Sequence, residues 1–253
     1  MMPAEHHSRG HLQGWHATRQ TAASSSVREP MTIRKRAWFR LSWLLLGIFF
    51  AGLNRLNITG AEHVPPGGGI LLAANHVSIF DTLLIPWVNI TKVGVEVVWA
   101  PAKAELFSIP LLSRIIASWG AFPVRRGGRD LRAMRLLVGL MRREKVMLFP
   151  EGTRSADGQL GPGNRAVGRL IYLARPMVIP TAILGTERLL AKGHMVPRLF
   201  STLEVRFGPP LDLDHYYQAA DTKATAEAIT RAVMCGIARL RGEEELWLAR
   251  FPA

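Results

Sequence analysis

Along the chain, short solid apolar runs alternate with longer stretches in which apolar and polar positions mix at helical spacing. Ile70–Ala74 is apolar without a break, the pattern of a strand buried on both faces. Similar runs predict strands over 70–74, 94–99, 121–124, 146–149, 177–183 and 202–207. The intervening segments predict helices over 81–90, 110–118, 129–143, 163–174 and 222–241. In the 129–143 helix Leu131, Met134, Leu137, Val138 and Met141 make an apolar face, with Arg132, Arg135, Arg142 and Arg143 mainly off it. Such alternation predicts an α/β fold with a mostly parallel sheet flanked by helices. In sheets of that kind, sites form beyond the carboxyl ends of the strands.

The pattern weakens toward the N-terminus. Residues 1–30 are rich in His, Ser, Ala and Arg and poor in apolar side chains, the composition of a disordered basic tail. Residues 31–56 read as a membrane-associating helical segment: Arg34-Lys35-Arg36 and Trp38 precede an apolar stretch that runs to Leu53. The uninterrupted part is shorter than the roughly 20 residues a spanning helix needs. A helix lying in or dipping into the headgroup region fits it, a monotopic or peripheral attachment at the cytoplasmic face of the cell membrane. Residues 57–253 read as one folded domain, opened by a Gly/Pro-rich connector whose Pro65-Pro66-Gly67-Gly68-Gly69 signals a turn.

Charge narrows the partners. The 253 residues carry 32 Lys and Arg against 19 Asp and Glu, a formal net charge of +13. That balance points to an anionic partner: nucleic acid, an acidic membrane surface or a phosphorylated substrate. No helix-turn-helix, zinc finger, aromatic RNA-binding motif or dimeric basic region supports nucleic acid, so an anionic lipid surface and phosphorylated small molecules are the expected partners. The single cysteine, Cys235, excludes an internal disulfide and any cysteine-based metal site.

Two stretches carry chemistry. After the first predicted strand come Asn75-His76-Val77-Ser78-Ile79-Phe80-Asp81. On a regular helix, positions five apart are rotated by roughly 500°, which leaves His76 and Asp81 about 140° apart. At a strand-to-helix corner, with His76 in the loop and Asp81 in the first helical turn, they can meet. The carboxylate then accepts the Nδ1 proton and leaves Nε2 as a free base. This is the orienting logic of a catalytic triad without its serine. Ser78 lacks the glycine-flanked nucleophile elbow, so the nucleophile would be a hydroxyl of the substrate. The second stretch, Phe149-Pro150-Glu151-Gly152-Thr153-Arg154, leaves another strand. It offers a carboxylate, a glycine permitting close backbone approach, a hydroxyl and an arginine suited to phosphate. No second histidine stands at a zinc-ligand interval, and no Gly-rich loop carries the lysine and hydroxyl of a nucleotide-binding P-loop.

These stretches resemble the signature blocks of the glycerolipid acyltransferase family. Asn75-His76 through Asp81 is similar to its first block and Phe149–Arg154 to its Phe-Pro-Glu-Gly-Thr-Arg block. Gly120–Arg126 resembles the block between them and Val178–Ala182 the one that closes the set. The likeness runs over roughly residues 35–210, with the blocks in the family's order. It implies a glycerophosphate acyltransferase-like fold and acyl transfer, from acyl-coenzyme A or acyl carrier protein as co-substrate, to the free hydroxyl of a lysophospholipid. The expected acceptor is 1-acylglycerol 3-phosphate, and no cofactor or metal is required. His76 and Asp81 would be the catalytic pair. Asn75, Lys103, Arg125, Arg126, Glu151, Gly152, Thr153 and Arg154 would shape or bind the acceptor. The family usually has an acidic residue just before the arginine of its second block. Arg125 stands there in this chain, which leaves open whether Arg125 or Arg126 faces the site. Glycerol 3-phosphate or a lyso-ornithine lipid as acceptor, or a non-catalytic lipid-binding protein with the same fold, are the alternatives.

Overall fold

The computed structural model describes residues 33–125, 130–155, 157–190 and 196–252. The tail expected over 1–30 and the candidate Arg126 lie outside them. The chain divides into two compact units after Leu44. The first includes most of α1 (Ile33–Gly47). Everything that follows belongs to the second. A π-helical turn, Ile48–Gly52, closes α1. It turns Phe50 fully inward, with its ring 6.1 Å from that of Trp87. Among the described residues no helix is long and apolar enough to cross a membrane.

The seven-stranded sheet runs β1 (Arg55–Thr59), β7 (Thr202–Phe207), β6 (Met177–Leu184), β2 (Ile70–Ala74), β5 (Lys145–Leu148), β3 (Val98–Lys103) and β4 (Ala121–Val124). Every neighbouring pair is parallel except β6–β7. β2 is buried along its whole length, as its solid apolar run requires of a central parallel strand. Alternate residues of the middle strands (Leu71, Ala73, Val146, Leu148, Val178) join one core cluster with side chains of α4 (Leu131–Arg143), α5 (Arg165–Ala174) and α8 (Lys223–Arg241). Phe50 and the buried Leu84, Ile85 and Val88 of α2 (Asp81–Lys92) fall outside that cluster. The two sets form the layers on either side of the sheet. α5 and α8 approach closely at Gly168, where a Cβ would sit 1.9 Å from the carbonyl oxygen of Ala226.

Three departures from the sequence reading have local causes. β1 was hidden by the turn residues that follow it. It is a half-exposed edge strand whose burial alternates residue by residue, and among the described residues only β7 pairs with it. The strand expected at 94–99 begins instead at Val98. Glu96 leaves the strand path because its carboxylate accepts the Gly67 N–H at 2.8 Å and pairs with Lys145 at 2.9 Å. On α4, Leu131 is 58% exposed and Ala133 takes the inward position. The four arginines are exposed, as a solvated face.

Lys145 opens β5 with its side chain only 1% exposed. Its ammonium donates to Glu96 Oε2, to Asn89 Oδ1 at 3.0 Å and to the Pro65 carbonyl at 3.2 Å. One buried cation therefore ties α2, β5 and the two turns together. Removing Glu96 leaves that charge short of its counter-ion, whereas Lys145→Met removes charge and keeps volume. Glu96→Ala should lower unfolding free energy by about 3 kcal/mol in urea titration, and Lys145→Met by clearly less. Equal losses would show that the pair does not act through charge burial.

Candidate functional site

The loop joining β2 to α2 makes the corner that the spacing of His76 and Asp81 requires. β2 ends at Ala74 and Asp81 is the first residue of α2. His76 Nδ1 lies 2.9 Å from Asp81 Oδ2. That oxygen also accepts the backbone N–H groups of Val77 and Ser78, each at 2.8 Å. A carboxylate oxygen already taking two N–H donors is acceptor only, so the imidazole carries its proton on Nδ1. The His76 side chain is 11% exposed and Asp81 is fully buried. The imidazole stacks on Phe149, ring centroids 3.9 Å apart and planes within 13°. Its Nε2 has no hydrogen-bond partner among the described residues and is free to accept a proton.

Neighbouring strands hold this loop from both sides. On one side, Asn75 is buried and bonds Ile183 twice, donating to its carbonyl at 2.8 Å and accepting its N–H at 2.7 Å. Its carboxamide thus continues the β2–β6 ladder past the end of β2. Thr186, in the helical turn α6 (Thr186–Leu189) just after β6, donates to Asp81 Oδ1 at 2.5 Å. Ser78 donates to the Leu190 carbonyl at 3.2 Å.

On the other side stands the exit of β5. Glu151 accepts the His76 N–H at 3.0 Å on one oxygen and the Gly161 N–H at 3.2 Å on the other. Burial raises its pKa above the ordinary carboxylate value, against the pull of those two N–H groups and of the Arg241 and His76 charges. Ser155 N–H donates to the His76 carbonyl at 2.8 Å. Gly152 has a φ of +71°, while a Cβ there would meet nothing closer than 3.9 Å. Backbone conformation, rather than close approach, is what calls for glycine.

The cations fan out from the base along one edge. Arg154 is partly buried on the loop after β5, next to Ser155. Lys103, exposed, ends β3 opposite Val124 in register. Arg125, exposed, follows β4 and lies close enough to Asp130 to help the Ala133 N–H hold that carboxyl below its usual pKa. Among the described residues no carboxylate pairs with Arg154 or Lys103. Thr153 is exposed beside Gly152. Among the described residues no group of three or more His, Cys, Asp or Glu side chains is placed to hold a metal ion.

Thr186 and Phe149 complete the surroundings of the pair, and sequence reasoning assigned a role to neither. A hydroxyl at the exit of a strand adjacent to the His-bearing one was the available signal for Thr186. The arrangement supplies an oriented base on one strand exit and cations on the next ones. It can deprotonate a hydroxyl on a molecule that also carries negative charge.

Residues 55–184 match the family model described as Acyltransferase. The 1-acyl-sn-glycerol-3-phosphate acyltransferase of Limnanthes alba is 27% identical over 165 residues, 64% of this chain and 56% of that protein. The chloroplastic enzyme LPAT1 of Arabidopsis thaliana, of the same description, is 26% identical over 60% of this chain and 41% of its own length. The human 1-acyl-sn-glycerol-3-phosphate acyltransferase alpha is 25% identical over 68% of this chain and 60% of its own. This chain thus spans about half the length of such relatives. The crystal structure of the 1-acyl-sn-glycerophosphate (LPA) acyltransferase PlsC from Thermotoga maritima superposes with a TM-score of 0.62 at 22% identity. It covers 94% of this chain and 89% of that one, and it shares the fold.

Proposed function

Since the chain belongs to the acyltransferase family, whose model it matches over residues 55–184, we propose that it transfers an acyl group from a thioester to the free hydroxyl of 1-acylglycerol 3-phosphate. The observation that carries this reading is the His76–Asp81 contact of 2.9 Å with Nε2 left open. Nε2 takes the proton of the acceptor hydroxyl as its oxygen attacks the thioester carbonyl of acyl-coenzyme A or acyl carrier protein. The tetrahedral intermediate collapses, the C–S bond breaks, and the imidazolium returns the proton to the departing thiolate. The ester and the free thiol are the products, and no covalent acyl-enzyme forms. Asp81 favours the imidazolium that arises midway, through the same hydrogen bond that fixed the tautomer.

Binding of the acceptor phosphate positions the hydroxyl, which is what lets one base suffice. Strand order supports Arg154 as its first ligand, on the exit next to β2, with Lys103 one strand further out. Arg125, after β4, is a third strand away. Asn75 and Glu151 hold the His76 loop. Gly152 and Thr153 shape the turn that presents Arg154. The test is an assay of thiol release in mixed micelles with an acyl-coenzyme A and a panel of lyso-lipids. Release that depends on lysophosphatidate supports the reading. Release with only a phosphate-free lyso-lipid keeps the base and overturns the cation roles. No release with either donor, coenzyme A or acyl carrier protein, favours a lipid-binding protein instead.

The substrate's insolubility calls for a protein that works on a lipid surface. α1 carries Leu41, Leu44 and Leu45 at the spacing of one helix face, each more than half exposed, with Arg40 beside them. Phe200 is 80% exposed, and its backbone N–H is held by the Leu53 carbonyl. Exposed apolar groups among cations suit a bilayer with anionic headgroups, where each nearby basic residue adds about 1 kcal/mol. Replacing Leu41, Leu44 and Leu45 by serine should reduce co-sedimentation with anionic vesicles at least about tenfold while leaving the far-ultraviolet circular dichroism unchanged. Undiminished sedimentation would remove α1 from the attachment.

A further inference from the structure

Asp81 has two carboxylate oxygens, and only one of them serves His76. Oδ2 takes the Nδ1–H together with the N–H groups of Val77 and Ser78. Oδ1 takes the hydroxyl of Thr186 at 2.5 Å, and both residues are completely buried. We propose that Thr186 is a positioning residue for the His76–Asp81 pair: its hydroxyl locks the rotation of the Asp81 carboxyl so that Oδ2 stays aimed at Nδ1.

The torsion that turns a carboxylate is broad and roughly two-fold, so nothing internal to aspartate prefers one oxygen over the other. Three donors already converge on Oδ2. If Oδ1 had none, the buried carboxylate would gain by rotating to share those donors between its oxygens, and the Nδ1 contact would lengthen. The Thr186 hydroxyl removes that incentive. The hydroxyl is itself fixed. Thr186 follows Gly185, whose φ is +88° and where a Cβ would lie 2.0 Å from the Thr202 carbonyl oxygen, so only glycine allows the turn. The same turn is tied to the His76 loop at two further points, by Asn75 to Ile183 and by Ser78 to Leu190. β6 is therefore the reference against which both members of the pair are held, and Thr186 acts on the base only through Asp81.

The kinetic arm of the test rests on the acyl-transfer reading; a spectroscopic arm does not. Thr186→Val keeps the shape and removes the donor, and Thr186→Ser keeps the donor. With folded protein confirmed by circular dichroism at the assay temperature, Thr186→Val should lower kcat about tenfold, with KM within about twofold of wild type. Thr186→Ser should recover most of the loss. In an Asp81→Asn background the valine should cost less than about twofold, because the route through Asp81 is already gone. A merely structural threonine would lower the melting temperature and add its cost to that of Asp81→Asn. Independently of turnover, the Nδ1 proton of His76 in ¹⁵N-histidine-labelled protein should be protected from solvent exchange in wild type and Thr186→Ser, and lost in Thr186→Val. Wild-type kcat or an unchanged Nδ1 proton in Thr186→Val would overturn the proposal, as would failure of the serine to rescue. If wild type transfers no acyl group to any acceptor, or Asp81→Asn turnover falls below detection, the proton signal alone decides.

Discussion

Replacing His76 with alanine is expected to abolish thiol release, by about 10³-fold or more, while the protein stays folded and keeps its affinity for lipid vesicles. The reason lies in what the substitution leaves behind. Asp81 would lose one donor and keep three, the N–H groups of Val77 and Ser78 and the hydroxyl of Thr186. The buried carboxylate therefore stays satisfied, and the loop keeps its backbone bonds to Glu151 and Ser155. Phe149 loses its stacking partner, a cost of about 1–2 kcal/mol at a site that water can reach. With no side chain able to accept the proton of the acceptor hydroxyl, the remaining rate would come from positioning alone. Asp81→Asn should be milder than His76→Ala, since it keeps an imidazole in place and removes only its orientation and the stabilisation of its charged form. Wild-type turnover in His76→Ala would remove His76 from the mechanism and require another group to take the acceptor's proton.

The His76–Asp81 contact was legible in the sequence because its geometry is local. An imidazole and a carboxylate five positions apart, straight after a solid apolar run, leave a strand-to-helix corner as the way to bring them together, and the corner forms at Ala74 and Asp81. The solid run at 70–74 coincides with a strand because burial on both faces is written in consecutive side chains, whereas the strand at 202–207 alternates and buries every second residue. What could not be read depended on contacts distant in the chain. Thr186 reaches Asp81 across 105 positions and Glu151 reaches the His76 backbone across 75, and neither pairing follows from spacing. Glu151 was expected to bind the acceptor; its two oxygens each hold a backbone N–H, a loop-fixing role that only the fold reveals. Lys145 is buried, because Asn89 comes to it from α2 and Glu96 from the turn that follows α2, and no local pattern announces either. The first strand was missed because an edge strand with one neighbour needs only alternating burial, a weak signal beside the glycines and prolines that follow it.

Arg154→Ala should lower kcat/KM for lysophosphatidate by about 10²-fold, the order of loss when one partner of a desolvated charge pair is truncated. The same variant should leave a phosphate-free lyso-lipid within about twofold of its wild-type value, because without a phosphate there is no interaction to lose. Arg154→Lys should restore only part of the loss, since an ammonium cannot reproduce the planar fork of a guanidinium. The expectation that Arg154 outranks Arg125 comes from the order β2-β5-β3-β4. Adjacent strands are about 4.8 Å apart, so the exit of β4 lies about 14 Å from that of β2. In 1-acylglycerol 3-phosphate the free hydroxyl and the phosphate sit on neighbouring carbons of one glycerol. A phosphate held beyond β4 could not leave that hydroxyl at His76 Nε2, whereas one held by the loop after β5 can. Arg125→Ala is accordingly expected to cost less than about tenfold. The opposite ranking would mean that the charge recognised lies well away from the hydroxyl that reacts. That geometry excludes a glycerol 3-phosphate scaffold and requires a longer acceptor, with the base unchanged. Equal losses on both acceptors would instead show that Arg154 supports the loop rather than a phosphate.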